Sequence, residues 1–114
     1  MKKLSDKKCI PCEDNSIQPF SCDQAHELFD EYRGELTGWI MDDGCKKITL
    51  DRTFPNFVHA MEFVNHVADS AESVGHHPDI SIWYNRVELT LFTHSLQGLS
   101  ENDFILAAKI NTLL

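Results

Sequence analysis

The apolar residues between Pro55 and Gly75 recur at steps of three and four positions, which strongly limits how this stretch can fold. An α-helix repeats every ~3.6 residues, so these steps place the apolar side chains on one face. Pro55 suits the first turn of a helix, where its missing N–H costs nothing, and Gly75 suits the end. We therefore predict a long amphipathic helix here. Its apolar face comprises Phe57, Ala60, Met61, Val64, Val67, Ala68 and Ala71.

Capping signals mark two further helices. Ser21 and Gln24 can satisfy each other's backbone donors at a helix start, and Gly34 ends that helix. Ser100 with Asp103 resembles a second capping signal. The apolar stripe of the first of these helices is Ala25, Leu28, Phe29 and Tyr32, and that of the last is Phe104, Ile105, Ala107, Ala108 and Ile110.

Four short stretches between the helices have the alternating pattern of β-strands and form two predicted hairpins. The turn pair Asp43-Gly44 joins the first two strands, and Asn85-Arg86 joins the last two. The strand residues are Trp39, Ile40 and Met41, then Ile48, Leu50 and Phe54, then residues 80–84, then Val87, Leu89 and Leu91.

The predicted order of elements is αββαββα, which indicates an α+β fold in two layers. A four-stranded antiparallel sheet with helices on one face satisfies this order most simply. Residues 1–20 contain two prolines and no periodicity, so we predict a flexible N-terminal arm followed by a single domain over residues 21–114. Because the second sheet face and the edge strands lack partners, we predict a homodimer or homotetramer.

Charge and hydropathy argue against several kinds of partner. The net charge of -8 opposes binding to nucleic acid or to anionic membranes. No apolar run approaches the ~18 residues that would span a bilayer. Polar residues follow Met1-Lys2-Lys3, where a signal peptide would need an apolar core. We therefore expect a cytoplasmic protein with neither nucleic acid nor membrane partners.

The four cysteines, at positions 9, 12, 22 and 45, are expected to be reduced thiols, since a cytosol disfavours disulfides. Cys9 and Cys12 form a CxxC pattern, which fits half a zinc site, a redox pair or a chance spacing. Cys22 and Cys45 could complete a four-thiolate site, although the separations match no familiar zinc module. We interpret the CxxC pattern as a chance spacing and predict no metal site. His59, Glu62 and His66 share the polar side of the long helix, which we interpret as a solvated face.

Two of the six histidines, His76 and His77, form the turn that follows the long helix. Histidine titrates near neutral pH, so such a turn suits proton transfer. Pro78 favours an extended backbone at His77, and neighbouring side chains of an extended segment point apart. His76 and His77 are therefore predicted to do different jobs. His94 follows the last strand with the parity of Glu88, away from the aliphatic row, which favours a functional imidazole over a core one.

These residues resemble the signature of the pterin-4a-carbinolamine dehydratases, and the likeness extends over about residues 39–110. The matched positions are Glu72, His76, His77, Pro78, Tyr84, His94 and Asp103. The resemblance implies dehydration of 4a-hydroxytetrahydrobiopterin to quinonoid dihydropterin, which recycles tetrahydropterin for aromatic amino acid hydroxylases. It implies a pterin substrate and no metal or organic cofactor.

The resemblance also implies roles for the matched residues. His76 and His94 are expected to form the proton-transfer pair, because hydroxide must leave C4a with a proton while N5 loses one. His77 is expected to hold the pterin and to assist. Which of the pair is acid and which is base stays open.

Three further matched residues are candidates for substrate binding. Glu72 could accept hydrogen bonds from the amino-pyrimidine edge of the pterin or tune an imidazole, or it could be a solvated carboxylate. Asp103 is expected to cap a helix or orient His94 rather than react. Tyr84 could stack on the pterin, although aromatic residues in strands usually belong to the core.

Three other functions compete with the dehydratase. A zinc hydrolase could use His76, His77 and His94 as ligands, but adjacent histidines on an extended backbone make that geometry awkward. Some members of this family are dimerisation cofactors of a transcription factor, so a partner-binding coactivator module is a second alternative. The third is a pterin-binding enzyme of molybdenum-cofactor metabolism. The three histidines together with Glu72 favour the dehydratase.

Overall fold

The computed structural model describes residues 3–8 and 18–114. Its elements confirm the predicted αββαββα order and the α+β class, with two short 3-10 turns added. The helices are α1 (Cys22–Glu31), α2 (Phe57–Val74) and α3 (Glu101–Asn111), and the 3-10 turns are Leu4–Asp6 and His94–Leu96. The strands are β1 (Trp39–Met41), β2 (Ile48–Thr53), β3 (Asp79–Trp83) and β4 (Arg86–Leu91).

The four strands form one antiparallel sheet in the order β1-β2-β4-β3, so β1 and β3 are its edges. The register of the central pair sets Ile48 opposite Leu91 and Leu50 opposite Leu89, and all four side chains are buried in the core under the helices. The opposite face carries the intervening polar residues, Thr49, Asp51, Glu88 and Thr90. The strict alternation along β2 and β4 therefore decides which face the helices cover.

The long helix α2 ends as predicted but begins later. Its N-cap is Asn56, whose side chain accepts a hydrogen bond from the His59 N–H at 2.9 Å, and Pro55 lies outside the helix. Gly75 ends the helix with φ of 69°, in the left-handed region that favours glycine. Two predicted core positions, Phe57 and Ala68, are exposed because they lie beside the buried stripe rather than on it. The observed stripe comprises Ala60, Phe63, Val64, Val67 and Ala71.

Both predicted capping signals are present at helix starts. The Ser21 N–H donates to Gln24 Oε1 at 2.9 Å, and the Gln24 N–H donates to Ser21 Oγ at 3.1 Å, which closes the capping box of α1. At the start of α3 the Ser100 N–H donates to Asp103 Oδ2 at 2.9 Å. α3 is buried along most of its length, since other elements cover it on several sides.

Residues 3–8 pack against α3 instead of extending freely from the domain. The Leu4 side chain is fully buried, and its N–H donates to Glu35 Oε2 at 2.8 Å. Lys109 of α3 donates its Nζ hydrogen to the Ser5 carbonyl at 2.6 Å. The flexibility expected of the N-terminal arm therefore does not extend to these residues. The division of the chain at residue 20 stays a prediction.

A disulfide joins Cys22 to Cys45, with the two Cα atoms 5.2 Å apart. The expectation of reduced thiols is wrong for this pair, because the fold brings the start of α1 onto the turn between β1 and β2. Cys9 and Cys12, with their CxxC pattern, lie outside the described residues. Among the helices that the structure describes, none is both long and apolar enough to cross a membrane.

Candidate active site

Three stretches of chain meet at the C-terminal end of α2 and bring the matched histidines into one region. The left-handed Gly75 turns the chain out of the helix, and the His76 N–H still bonds the Ala71 carbonyl at 3.2 Å. The second 3-10 turn supplies His94, and the first turn of α3 supplies Asp103. Side-chain contacts between these stretches hold them together.

His76 and Asp103 form a buried pair at the centre of this region. The exposed fraction of His76 is 4% and that of Asp103 is 0%, and Nε2 lies 2.5 Å from Oδ1. The other oxygen, Oδ2, accepts hydrogen bonds from the Thr93 hydroxyl and from the Ser100 N–H, both at 2.9 Å. The Thr93 and Ser100 hydroxyls lie 2.7 Å apart. One carboxylate therefore orients the imidazole and begins α3.

His77 pairs with Glu72 on the solvent-exposed surface. Nε2 of His77 lies 2.9 Å from Glu72 Oε2, and the two side chains are 62% and 80% exposed. Glu72 belongs to the last turn of α2, so the helix holds the carboxylate beside the turn that carries the imidazole. An exposed pair of this kind contributes little to stability, but it leaves the ring accessible to a ligand.

His94 is equally accessible and has neighbouring side chains on two sides. Its ring centroid lies 4.1 Å from that of Phe92, and its Nε2 lies 3.9 Å from Asp79 Oδ1 at the start of β3. The side chain is 64% exposed. The exposure agrees with the sequence prediction, but strand parity is not its cause, because β4 ends at Leu91 and His94 opens a 3-10 turn.

Five of the six predicted site residues lie in this region, and Tyr84 does not. Tyr84 lies in the turn between β3 and β4 with φ of 49°, whereas Asp79 begins β3 at the other end. A five-residue strand is about 16 Å long, so within one chain Tyr84 is remote from the histidines. The five residues are Glu72, His76, His77, His94 and Asp103.

Asp103 differs from its prediction in two respects. Its histidine partner is His76, not His94, and its full burial with both oxygens engaged does not fit direct contact with a substrate. Its predicted capping role is confirmed. Sequence reasoning missed Asp79 and the Thr93 hydroxyl. Asp79 directly follows the His-His-Pro turn, and Thr93 directly precedes His94, so adjacency was the available signal.

Within residues 3–8 and 18–114, no three donor atoms of the histidine site converge within 4.8 Å as the ligands of a metal ion would. A zinc site built from His76, His77 and His94 therefore has no support in this geometry. The same holds for His59, Glu62 and His66. The one group that converges in this part of the chain consists of Cys22, His26 and Cys45.

The chain is similar to named proteins over most of its length. It is 39% identical to the "Putative pterin-4-alpha-carbinolamine dehydratase" of Halorhodospira halophila (strain DSM 244 / SL1), over 96% of each chain. It is also 39% identical to "Pterin-4-alpha-carbinolamine dehydratase 2, mitochondrial" of Arabidopsis thaliana, over 96% of this chain and 58% of that longer one. Because the name of the Arabidopsis thaliana protein places it in mitochondria, the cytoplasmic location of this chain stays a prediction.

A solved structure shares the fold. The crystal structure of a "transcriptional coactivator/pterin dehydratase" from Brucella melitensis superposes with a TM-score of 0.75 at 34% identity, covering 84% of this chain and 98% of that one. The sequence profile of the family described as Pterin 4 alpha carbinolamine dehydratase matches residues 19–113. The chain therefore belongs to the pterin-4a-carbinolamine dehydratase family, a family of hydro-lyases.

Proposed function

We propose that this protein dehydrates 4a-hydroxytetrahydrobiopterin to quinonoid dihydropterin by histidine acid-base catalysis. The observation that carries the proposal is the placement of two accessible imidazoles, His77 and His94, beside a buried His76–Asp103 pair. Dehydration needs one proton delivered and one removed, and two imidazoles in opposite protonation states satisfy both needs. Returning the product to an aromatic amino acid hydroxylase is part of the same proposal.

The reaction itself balances without an external reagent. An imidazolium donates its proton to the departing C4a hydroxyl, which leaves as water. A neutral imidazole takes the N5 proton while the C4a–N5 double bond forms. The two histidines exchange protonation states in each turnover, and solvent reaches both rings to restore them.

Burial revises the roles that the resemblance implies for the three histidines. His77 and His94 are accessible, so we assign direct proton transfer to them. Nε2 of His76 is engaged by Asp103 inside the protein, so we assign His76 to positioning the turn that carries His77. Glu72 and Asp79 lie beside the accessible imidazoles and would orient them.

Stopped-flow dehydration of the carbinolamine tests this assignment. We expect His77→Ala and His94→Ala each to lower kcat by at least about tenfold, with the unfolding free energy changed by less than about 1 kcal/mol. His66→Ala, on an exposed part of α2, is the matched control and should leave kcat unchanged. Wild-type protein that accelerates dehydration no more than buffer does would contradict the dehydratase.

A variant at His76 separates positioning from direct transfer. His76→Gln retains a side-chain donor that can reach Asp103. If His76 only positions the turn, this variant should keep most of the kcat that His76→Ala loses. A His76→Gln protein of native stability whose kcat is as low as that of His94→Ala would instead make His76 a proton-transfer residue.

Partner binding is a second candidate, favoured by the coactivator name of the Brucella melitensis relative. Within the part of the chain that the structure describes, the sheet face away from the helices is uncovered and carries Ile40 of the edge strand β1, with 71% exposure. At the other edge all five residues of β3 are exposed.

Self-association into a homodimer or homotetramer would cover such edges. Light scattering on the purified protein tests the assembly, and a concentration-independent monomer would contradict it.

A further inference from the structure

A second cluster of reactive side chains, made of residues outside the histidine site, lies where α1 meets the turn between β1 and β2. Cys22 is the first residue of α1, and His26 follows one helical turn later on the same face. Cys45 belongs to the β1–β2 turn and is buried. The donor atoms of these three residues all lie within 4.8 Å of one another.

The separation between Cys45 and His26 is that of two ligands on one metal ion. Sγ of Cys45 lies 3.5 Å from Nε2 of His26. In a tetrahedral zinc site, with Zn–S of about 2.3 Å and Zn–N of about 2.0 Å, sulfur and nitrogen ligands are about 3.5 Å apart. The imidazole therefore needs little movement to share a zinc ion with this sulfur.

The third donor, Cys22, is bonded to Cys45 as a disulfide in the structure. Metals bind thiolates, so this bond must be reduced before the two sulfurs can act as ligands. Cys45 itself has φ of 56°, in the left-handed region where glycine or asparagine is usual. The backbone thus adopts an unfavourable conformation for cysteine at the turn position that contacts both Cys22 and His26 of α1.

We propose that Cys22, His26 and Cys45 bind a zinc ion when the two cysteines are reduced, and that the disulfide is the alternative state of the same site. A dithiol reductant supplies two electrons and two protons, giving two thiols and an oxidised dithiol. Zinc then replaces both thiol protons, which are released, and neutral Nε2 of His26 donates its lone pair. The described residues supply three donors, so solvent completes the tetrahedron.

Zinc titration of the whole chain in its two redox states tests the proposal without any change at the site. The parent protein for the test carries Cys9→Ser and Cys12→Ser, so that every thiol counted belongs to Cys22 or Cys45. After reduction under nitrogen, competition with a chromophoric chelator should give one zinc per chain and protection of both thiols. The oxidised parent should contain no titratable thiol and bind no zinc. Cobalt should add a thiolate-to-metal absorption band in the near ultraviolet.

Ligand variants identify the donors. Loss of an outer-shell partner alone weakens metal binding by about 10- to 100-fold, so Cys22→Ser and Cys45→Ser should weaken zinc binding by at least about 100-fold. His26→Ala should weaken it by at least about tenfold. His66→Ala, which removes an exposed histidine from α2, should leave it unchanged. Far-UV circular dichroism checks that each variant is folded.

Three results would overturn the proposal. The first is that the reduced parent binds zinc no more tightly than its Cys22→Ser variant. The second is that the unmodified chain binds zinc and the parent does not, which would place the metal at Cys9 and Cys12. Equal zinc binding by the oxidised and reduced parent would show that the two sulfurs are not the ligands.

Discussion

His76 and His77 are neighbours in the chain, and each is paired with a carboxylate, yet their surroundings are opposite. The His76–Asp103 pair is buried, and its carboxylate also holds Thr93 and the start of α3. The His77–Glu72 pair is mostly exposed and joins residues only five positions apart. The same chemical pair therefore stabilises the fold where solvent is excluded and stays accessible to a ligand where solvent reaches it.

The largest expected difference between the two pairs is in stability. Asp103→Ala should lower the unfolding free energy by about 3–5 kcal/mol, since it leaves buried donors without a partner. The matched variant Glu72→Ala should lower it by less than about 1 kcal/mol, because water replaces the lost partner. Urea unfolding followed by circular dichroism measures both. If Asp103→Ala does not fold, Asp103→Asn, which keeps one acceptor oxygen, supplies the measurement. Similar losses for Asp103→Ala and Glu72→Ala would contradict the difference in stability between the buried and the exposed pair.

The hydroxyl of Thr93 is the next part of the buried network to test, because it donates to Asp103. Thr93→Val keeps the shape of the side chain but removes the donor to Asp103, and we expect a loss of about 1–3 kcal/mol. Thr90→Val is the control, since Thr90 lies on the open sheet face with its hydroxyl 3.4 Å from that of Thr49. Its loss should be below about 0.5 kcal/mol. The urea unfolding midpoints of the two variants measure this difference. Equal shifts would contradict a larger stabilising role for the Thr93 hydroxyl.

Glu35 is an intermediate case, a partly buried carboxylate that anchors residues 3–8. Burial raises its pKa, but the N–H groups of Leu4 and Ser5 lower it more, so the pKa lies below its ordinary value. The anchor therefore stabilises the fold above the ordinary pKa and is lost as pH falls through the lowered one. Glu35→Gln should lower the unfolding free energy by at most about 1 kcal/mol near pH 7, and the difference from wild type should shrink as the pH falls through the lowered pKa.

Urea unfolding across that pH range measures the Glu35 effect. Glu31→Gln, at the exposed end of α1, is the matched control and should show no such convergence with wild type. A Glu35→Gln deficit that stays constant with pH would mean that the carboxylate charge is not what holds the N-terminal segment.

The smallest effect is expected for the exposed pair of Asp51 and Arg86. Hydrogen bonds from Arg86 hold the pKa of Asp51 below its ordinary value, with Nη2 2.6 Å from Oδ2. The pKa of Asp51 is lowered, as that of Glu35 is. The stabilisation by this pair is therefore present above the ordinary pKa and is lost as pH falls through the lowered one. Arg86→Ala should shift the urea midpoint only slightly, and added salt should shrink the shift further. Arg52→Ala is the control on the neighbouring strand, and a salt-independent Arg86 effect would contradict this account.

Local patterns made the elements predictable. Alternation along β2 and β4 and the spacing in α2 depend on near neighbours, as do the caps at Ser21 and Asp103. These features agree with the structure, except that Phe57 and Ala68 of the predicted α2 stripe are exposed. The two-layer arrangement followed because few architectures accommodate the order αββαββα. The start of α2 was less predictable, since Asn56 competes with Pro55 for the first position of the helix.

Contacts between distant parts of the chain were not predictable in the same way. No periodicity links His76 to Asp103, 27 positions later, so the burial of this pair emerges only from the packing of α3 against α2. The Cys22–Cys45 link and the docking of Leu4 likewise depend on contacts between residues far apart in the sequence. Tyr84 matched the family signature, but the sequence did not show that the β3–β4 turn, which holds Tyr84, lies at the end of the hairpin away from the histidines.

The shared use of Asp103 ties the formation of the site to the formation of the last helix. A chain whose α3 has frayed loses the acceptor for the Ser100 N–H and breaks the contact between Asp103 and Nε2 of His76 in the same event. Amide exchange at the start of α3 should therefore rise together with loss of turnover under mild denaturation. Catalysis would then report directly on the folding of the C-terminal end of the chain.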